Sequence, residues 1–241
     1  MPVTDRTIIL HYHLFKNAGT SFDGILRRNF PGRWETAEFP NDNGDNSARV
    51  AEWIASKPEA VAFSSHTANG PIPVIPGVKV ISALFLRDPV ARIRSAYMFE
   101  RIQASGNQGD PRGVQIAKAH DFGGYVRARI AHRGDRQCRD FHVARLSMIV
   151  KGTGDELDRA TEALGVLSFV GEVERFNNSM ARFQRLVAPI WPRFDPGPMH
   201  LNRSPVEDSP VIEPELMALL EANNALDATL IERARATVWA N

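Results

Sequence analysis

Residues 78–89 read VKVISALFLRDP, an apolar and β-branched run that ends in a charged pair and a proline. The run is too short to cross a membrane, and its unbroken apolar character is typical of a strand buried on both faces of a parallel sheet. Asp88 suits the N-cap of a helix, and Pro89 suits its first position. The stretch therefore predicts a central strand followed directly by a helix that runs to about residue 104.

The apolar residues of this helix recur at helical spacing and predict its buried face. That face is expected to carry Val90, Ile93, Tyr97 and Ile102. Tyr97 is interpreted as a core residue rather than a ligand, and Arg92 and Arg94 are expected to be solvated.

Strand and helix patterns alternate along the rest of the chain. Buried strands are predicted at residues 7–14, 60–65 and 167–173, and residues 31–45 are expected to form a loop. Helical patterns are predicted at residues 47–57, 155–164, 177–190 and 214–239, with mostly helical character over 114–151. This alternation indicates the α/β class, as a three-layer sandwich with a central parallel β-sheet flanked by helices. We expect a single domain over residues 1–241.

Composition limits the classes of partner. With 43% hydrophobic and 24% charged residues, the 241-residue chain has the composition of an ordinary globular protein. A net charge of +1 gives no bulk attraction to nucleic acid or to an acidic membrane, so neither is expected as a partner and any anion site must be built locally. The single cysteine, Cys138, cannot form an intramolecular disulfide, and no secretion signal is evident. We therefore expect a cytoplasmic protein.

Three chemically active residues follow three predicted strands. Lys16 comes after the first strand, His66 after the second and Arg87 after the third. In an open parallel sheet, ligands bind beyond the carboxyl ends of the strands, where the strand order reverses. The sequence therefore predicts two cations and a titratable base at one edge of the sheet.

The loop KNAGTS at residues 16–21 is suited to holding an anion. Gly19 is expected to take left-handed backbone angles that expose amide N–H groups, with Thr20 or Ser21 capping the helix that follows. It is not a Walker A loop, because Lys16 stands three positions before the glycine instead of directly after one. Taken alone, the loop fits a ligand site and a simple capped turn equally well. Further along, Arg87 and Ser95 could converge on one phosphate.

Two motifs together resemble a known family. HLFKNAGTSF, at residues 13–22, resembles the 5′-phosphosulfate loop of sulfotransferases that use PAPS (3′-phosphoadenosine 5′-phosphosulfate), in particular the carbohydrate group that includes the uronyl 2-O-sulfotransferases. FLRDPVARIRSAYMF, at residues 85–99, is similar to that family's 3′-phosphate segment, and residues 169–176 and 200–205 resemble two further segments. Phe15 stands where the family usually has proline, and Asn17 where it usually has threonine. Residues 136–146 match poorly, which leaves the acceptor open.

The resemblance implies a P-loop-like sandwich and a set of roles. Lys16 would contact the 5′-phosphosulfate and its bridging oxygen, and Arg87 with Ser95 would hold the 3′-phosphate. The residues implied in binding the donor are Lys16, Asn17, Ala18, Gly19, Thr20, Ser21, Arg87, Ser95, Asn202 and Ser204. The reaction implied is transfer of the sulfuryl group to a hydroxyl of a small molecule or glycan, leaving adenosine 3′,5′-bisphosphate. It requires no metal.

The base that would take the acceptor's proton has three candidates. A histidine titrates near neutral pH, and His66 in FSSHTANG matches the family's basic histidine, which makes it the first choice. Glu35 or Glu38 is the alternative, and His66 would then only hydrogen-bond a loop. His11 and His13 are interpreted as core imidazoles. Three further histidines, His120, His132 and His142, are interpreted as surface or structural residues.

Two other functions stay open from the sequence. One is a P-loop-like kinase that uses ATP and Mg²⁺, which the missing Walker A loop and the second phosphate motif disfavour. The other is a nucleotide-binding protein without catalysis, which would follow if His66 and the glutamates lie away from the phosphosulfate.

Overall fold

One five-stranded sheet organises this computed structural model, which describes residues 6–40, 44–104, 111–197 and 210–240. The strands are β1 (Arg6–Tyr12), β2 (Trp34–Thr36), β3 (Ala62–Ser65), β4 (Val78–Leu86) and β5 (Phe169–Glu172). Their order across the sheet is β2-β3-β1-β4-β5, and every pairing is parallel. The predicted α/β class with a central parallel sheet is confirmed.

Ten helices surround the sheet within the described residues. They are α1 (Gly19–Asn29), α2 (Ser47–Ala55), α3 (Pro89–Arg101), α4 (Arg112–Ala119), α5 (Phe122–Ala131), α6 (Phe141–Leu146), α7 (Glu156–Val166), α8 (Phe176–Val187), α9 (Pro214–Asn223) and α10 (Ala225–Ala236). Helices α1 and α8 pack on one face of the sheet, and α2, α6, α7 and α10 pack on the other. The three-layer sandwich is therefore confirmed. No helix among these is long and apolar enough to cross a bilayer.

The strand β1 lies at the centre of the sheet, because β3 pairs with one of its edges and β4 with the other. Its residues Ile8, Ile9 and Leu10 are fully buried, and their side chains alternate between the two apolar layers. The chain reaches β4 only after crossing over β1, so the strand order reverses here. A ligand site is expected at this reversal, beyond the carboxyl end of β1.

The start of α3 follows the sequence prediction closely. The Asp88 side chain accepts a hydrogen bond of 2.8 Å from the backbone N–H of Ala91, and Pro89 is the first helical residue. Ile93 and Tyr97 are buried as predicted. Ile102 is 78% exposed, so its predicted place on the buried face is wrong. The helix ends at Arg101, one residue earlier, and the helical periodicity no longer applies there.

Arg92 departs most from the prediction, because it is completely buried rather than solvated. Its guanidinium lies 4.2 Å from the ring centroid of Phe141 and donates hydrogen bonds to the side-chain and backbone oxygens of Gln137. Burial lowers the pKa of Arg92. A cation–π contact and carbonyl acceptors can hold a guanidinium without a carboxylate, an arrangement that residue type alone does not reveal.

The edge strand β2 lies within the stretch that was expected to be a loop. It has only three residues, and it pairs with β3 from Trp34 opposite Ala62 to Thr36 opposite Ser64. Three residues are too few to show a periodic pattern, so this strand is defined by its pairing partner.

The C-terminal helix predicted over residues 214–239 is two helices separated at Asn224. The Asn224 side-chain amide donates to the backbone oxygens of Cys138 and Leu220, at 3.1 and 2.8 Å. These hydrogen bonds turn the chain where local propensity favours continuation.

Gly171, in β5, provides a test of how tightly the sheet packs. A Cβ atom there would lie 2.3 Å from two ring atoms of Phe85, which is itself enclosed by other aromatic rings. We expect Gly171→Ala to lower the free energy of unfolding by about 1–3 kcal/mol because the ring cannot move aside. The control is Gly165→Ala in α7, where the new methyl meets nothing within 4 Å and should stabilise the helix by about 0.5–1 kcal/mol. Urea denaturation measures both, and equal stabilities would contradict the packing.

Candidate active site

Three adjacent strands bring the predicted residues to one edge of the sheet. Strands β3, β1 and β4 are neighbours, and His66, Lys16 and Arg87 lie just beyond their carboxyl ends. The Arg87 side chain donates a hydrogen bond of 3.1 Å to the backbone oxygen of Lys16. The ring of His66 stacks on that of His13, with 3.8 Å between centroids. Two cations and a base therefore share one side of the molecule.

The loop between β1 and α1 has an unusual backbone. Lys16 and Ala18 adopt left-handed conformations with φ of 61° and 58°, although neither is glycine. Each such residue costs about 1–2 kcal/mol relative to the right-handed region, so the surrounding structure must hold the loop in place.

The prediction that Gly19 supplies the left-handed angles is wrong, because Gly19 is the first residue of α1. A glycine is needed at this position because there is no space for a side chain. A Cβ atom there would lie 2.0 Å from the Cδ2 atom of His13. The glycine therefore allows the His13 ring to lie against the start of the helix.

The N-terminus of α1 is left without a side-chain cap. Ala18 occupies the N-cap position, so the expectation that Thr20 or Ser21 caps the helix is wrong, and both lie in the first turn. The backbone N–H groups of Ala18, Gly19 and Thr20 donate to no acceptor in the described part of the chain. Free N–H groups at the positive end of the helix dipole favour an anion.

Lys16 presents a charge that no carboxylate of the described residues pairs with. Its ammonium lies 4.3 Å from the ring centroid of Phe99, which in turn packs edge to face against Phe15. Burial, and secondarily the charge of Arg87, lowers the pKa of Lys16. A partly desolvated ammonium beside a second cation gains strongly from a bound anion.

Arg87 is half-buried, and burial lowers its pKa although the nearby Glu174 acts in the opposite direction. The Glu174 carboxylate accepts a hydrogen bond of 3.1 Å from the backbone N–H of Asp88. Ser95 lies on α3, also half-buried. Asn202 and Ser204, with the rest of residues 200–205, lie outside the described residues.

His66 is oriented by Glu38, a partnership that the sequence did not reveal. The Nδ1 atom of His66 lies 2.7 Å from Oε1 of Glu38, and the hydroxyl of Thr67 donates to Oε2 at 2.7 Å. Although burial acts to raise the pKa of Glu38, the hydrogen bonds from Thr67 and His66 lower it. An ionised Glu38 accepts only, so Nδ1 carries a hydrogen, and in the neutral form of the imidazole the lone pair is then on Nε2. Glu35 instead lies 3.5 Å from the Nζ atom of Lys57.

Beneath the loop, Asp23 bridges His11 of β1 and His13, which directly follows this strand. Its carboxylate oxygens lie 2.7 Å from Nδ1 of His11 and 2.8 Å from Nδ1 of His13, and all three residues are buried. Burial raises the pKa of Asp23, but the charge of His11 and the hydrogen bonds from both imidazoles outweigh it, and the pKa falls well below its usual range. These groups are close enough to share a cation, yet their polar atoms already pair with one another. They support the strand end, as expected for core imidazoles.

The side chain of Asn17 points into the protein rather than outward. It is 1% exposed, donates to the backbone oxygen of Phe15 at 3.0 Å and faces Nε2 of His142 at 2.9 Å. Its backbone N–H donates to the backbone oxygen of Leu14 at 3.2 Å, so neither the side chain nor the N–H group of Asn17 is free to meet a bound anion.

Gly19→Ala tests the close approach of His13 to α1. Because the added methyl would overlap the ring, we expect a loss of about 1–3 kcal/mol in the free energy of unfolding. Gly24→Ala in the same helix is the matched control, since its methyl meets nothing within 4 Å. Chemical denaturation compares the two variants. A Gly19→Ala protein as stable as Gly24→Ala would contradict the close packing.

Comparison with known proteins gives one informative relative. No protein-family model matches the chain. An uncharacterized protein of Archaeoglobus fulgidus is 37% identical over 216 residues, which cover 87% of this chain and 84% of that protein. Identity at this level over most of both chains shows common descent, and this chain therefore belongs to the same family as the uncharacterized Archaeoglobus fulgidus protein.

Proposed function

We propose that this protein is a sulfotransferase that moves the sulfuryl group of PAPS to a hydroxyl of an acceptor, most simply a carbohydrate. The observation that carries the proposal is the convergence of Lys16, Arg87 and the His66–Glu38 pair on three adjacent strand ends, beside an uncapped helix N-terminus. The two phosphate motifs of the sequence supply Lys16 and Arg87 of this set.

The donor would lie along the loop and the start of α3. Free amide groups at the start of α1 and the unpaired ammonium of Lys16 suit the 5′-phosphosulfate. Arg87 and Ser95 would hold the 3′-phosphate, Asn202 and Ser204 would lie near the nucleotide, and the fold would be P-loop-like. A second phosphate site separates PAPS from ATP, which disfavours the kinase alternative.

PAPS supplies an activated sulfuryl group. The acceptor oxygen bonds to sulfur as the bond between sulfur and the bridging oxygen breaks, and negative charge passes to the 5′-phosphate. Lys16 stabilises that charge most strongly because its ammonium is partly desolvated. No metal ion is needed for this step.

His66 takes the acceptor's proton at Nε2 in this scheme. Glu38 is a positioning residue, since its carboxylate holds Nδ1–H and stabilises the imidazolium that forms. Two of the three bases considered from the sequence, His66 and Glu38, thereby have complementary roles. We also propose a reducing, cytoplasmic location, because the chain has a single cysteine and therefore no intramolecular disulfide.

Nucleotide selectivity tests the donor site. Calorimetry should show that the unaltered protein binds adenosine 3′,5′-bisphosphate more tightly than ADP. Arg87→Ala should reduce this preference, because it removes the 3′-phosphate contact. Lys16→Ala should weaken the binding of both nucleotides. Lys79→Ala is the matched control, since Lys79 is exposed near the opposite end of β4. Equal affinity for the two nucleotides would contradict the sulfotransferase proposal.

The base is tested by transfer of labelled sulfate from PAPS to a panel of sugar hydroxyls. His66→Ala should lower kcat by about 10²–10⁴-fold while leaving bisphosphate affinity intact, because the base contacts only the acceptor. Glu38→Gln should lower kcat less, since its amide oxygen still accepts from Nδ1. Glu35→Gln is the control and should retain full activity. Full activity of His66→Ala would remove His66 from the mechanism.

A further inference from the structure

The loop between β1 and α1 is tied to the helical layer through Asn17. This residue lies between the two left-handed residues, Lys16 and Ala18. Its Nδ2 group donates to the backbone oxygen of Phe15, which directs Oδ1 at Nε2 of His142, 2.9 Å away. His142 lies on α6, and its side chain is completely buried. A buried hydrogen bond therefore links the strained loop to α6.

His142 is itself held by a buried carboxylate of α10. Its Nδ1 atom lies 2.9 Å from Oδ2 of Asp227, and neither side chain is exposed. Burial raises the pKa of Asp227, but the charge of His142 and hydrogen bonds from its ring and backbone and from the backbone of Val143 outweigh it, so the pKa is lowered. Both ring nitrogens face oxygen acceptors, so the geometry requires N–H on each. The imidazolium and Asp227 form a fully paired buried ion pair.

The ends of α6 and α10 fix the position of this ion pair. The Asp227 carboxylate accepts from the backbone N–H groups of His142 and Val143 at 3.0 and 2.8 Å. In return, Asp140, just before α6, accepts from the backbone N–H groups of Leu226 and Asp227 at 3.0 and 3.2 Å. Each helix N-terminus is thus capped by an aspartate of the other, which leaves the His142 ring little freedom.

We propose that His142, held by Asp227, is a positioning residue that keeps the candidate phosphate loop in its left-handed conformation by donating to Asn17. Neither His142 nor Asp227 belongs to the proposed donor contacts, so both act through the loop. The effect on nucleotide binding rests on the proposed function, whereas the effect on loop order does not.

A purely structural role is the competing explanation, in which the ion pair only joins α6 to α10. Two substitutions of the same residue separate the explanations. The amide nitrogen of glutamine in His142→Gln can reach the place of Nε2 and still donate to Asn17. The shorter His142→Asn can replace Nδ1 but cannot reach Asn17. Both disturb the ion pair, so only a positioning role predicts a difference between them at the loop.

Hydrogen exchange measured by mass spectrometry reports directly on how well the backbone amides of the loop are protected. Asn17→Ala and His142→Asn should each speed exchange in peptides that cover residues 13–22, whereas β4 stays protected. The double variant should exchange more slowly than the two single effects added together predict, because both substitutions remove the same hydrogen bond between Asn17 and His142. His142→Gln should remain closer to the unaltered protein. Asn177→Ala and His132→Ala, at exposed residues, are the controls.

Affinity for adenosine 3′,5′-bisphosphate gives the second readout. It should fall about tenfold in Asn17→Ala and in His142→Asn, and by less than about a hundredfold in the double variant, because the two substitutions remove one shared contact. Unchanged loop exchange in Asn17→Ala, or effects that add in the double variant, would overturn the positioning role. If the unaltered protein binds no bisphosphate, the proposed function fails, and loop exchange still decides the role of His142. If His142→Asn does not fold, Asn17→Ala and His142→Gln still distinguish the positioning role from a purely structural one.

Discussion

The pairing of β1 with strands on both of its edges is the constraint on which the rest of the structure depends. Ile9 of β1 is opposite Ala62 of β3 on one side and opposite Ile81 of β4 on the other. This register brings the three strand ends together, and the residues that follow them must share one edge. A parallel sheet cannot place these connections elsewhere, because each strand runs in the same direction.

At that edge the protein holds a strained loop with two buried polar networks. Asp23 with His11 and His13 supports the loop from the α1 layer, and the contact of Asn17 with His142 supports it from the α6 layer. Buried polar groups that are fully paired favour one conformation, because any other leaves a donor or acceptor unsatisfied. Asn17 is therefore held in the interior, whereas Lys16 and Ala18 on either side of it stay partly exposed.

Much of the fold could be predicted from local pattern. The run at residues 78–86 predicted β4, and Asp88 with Pro89 predicted the start of α3, because these features depend on neighbouring residues alone. The placement of Lys16, His66 and Arg87 also followed, since it depends only on which residues come after strands. The short strand β2 and the break at Asn224 could not be predicted, because a pairing partner and a distant carbonyl oxygen define them.

The sequence by itself determined the class of the fold and which strands are followed by charged residues. It also indicated that the loop needs a glycine at residue 19. Tertiary structure decided why that glycine is needed, that Arg92 is buried, and that Glu38 and His142 hold His66 and Asn17. The reason is range: apolar periodicity and capping act over a few residues along the chain. The contact between Asn17 and His142 spans 125 positions, and no local pattern encodes the distance between two such side chains.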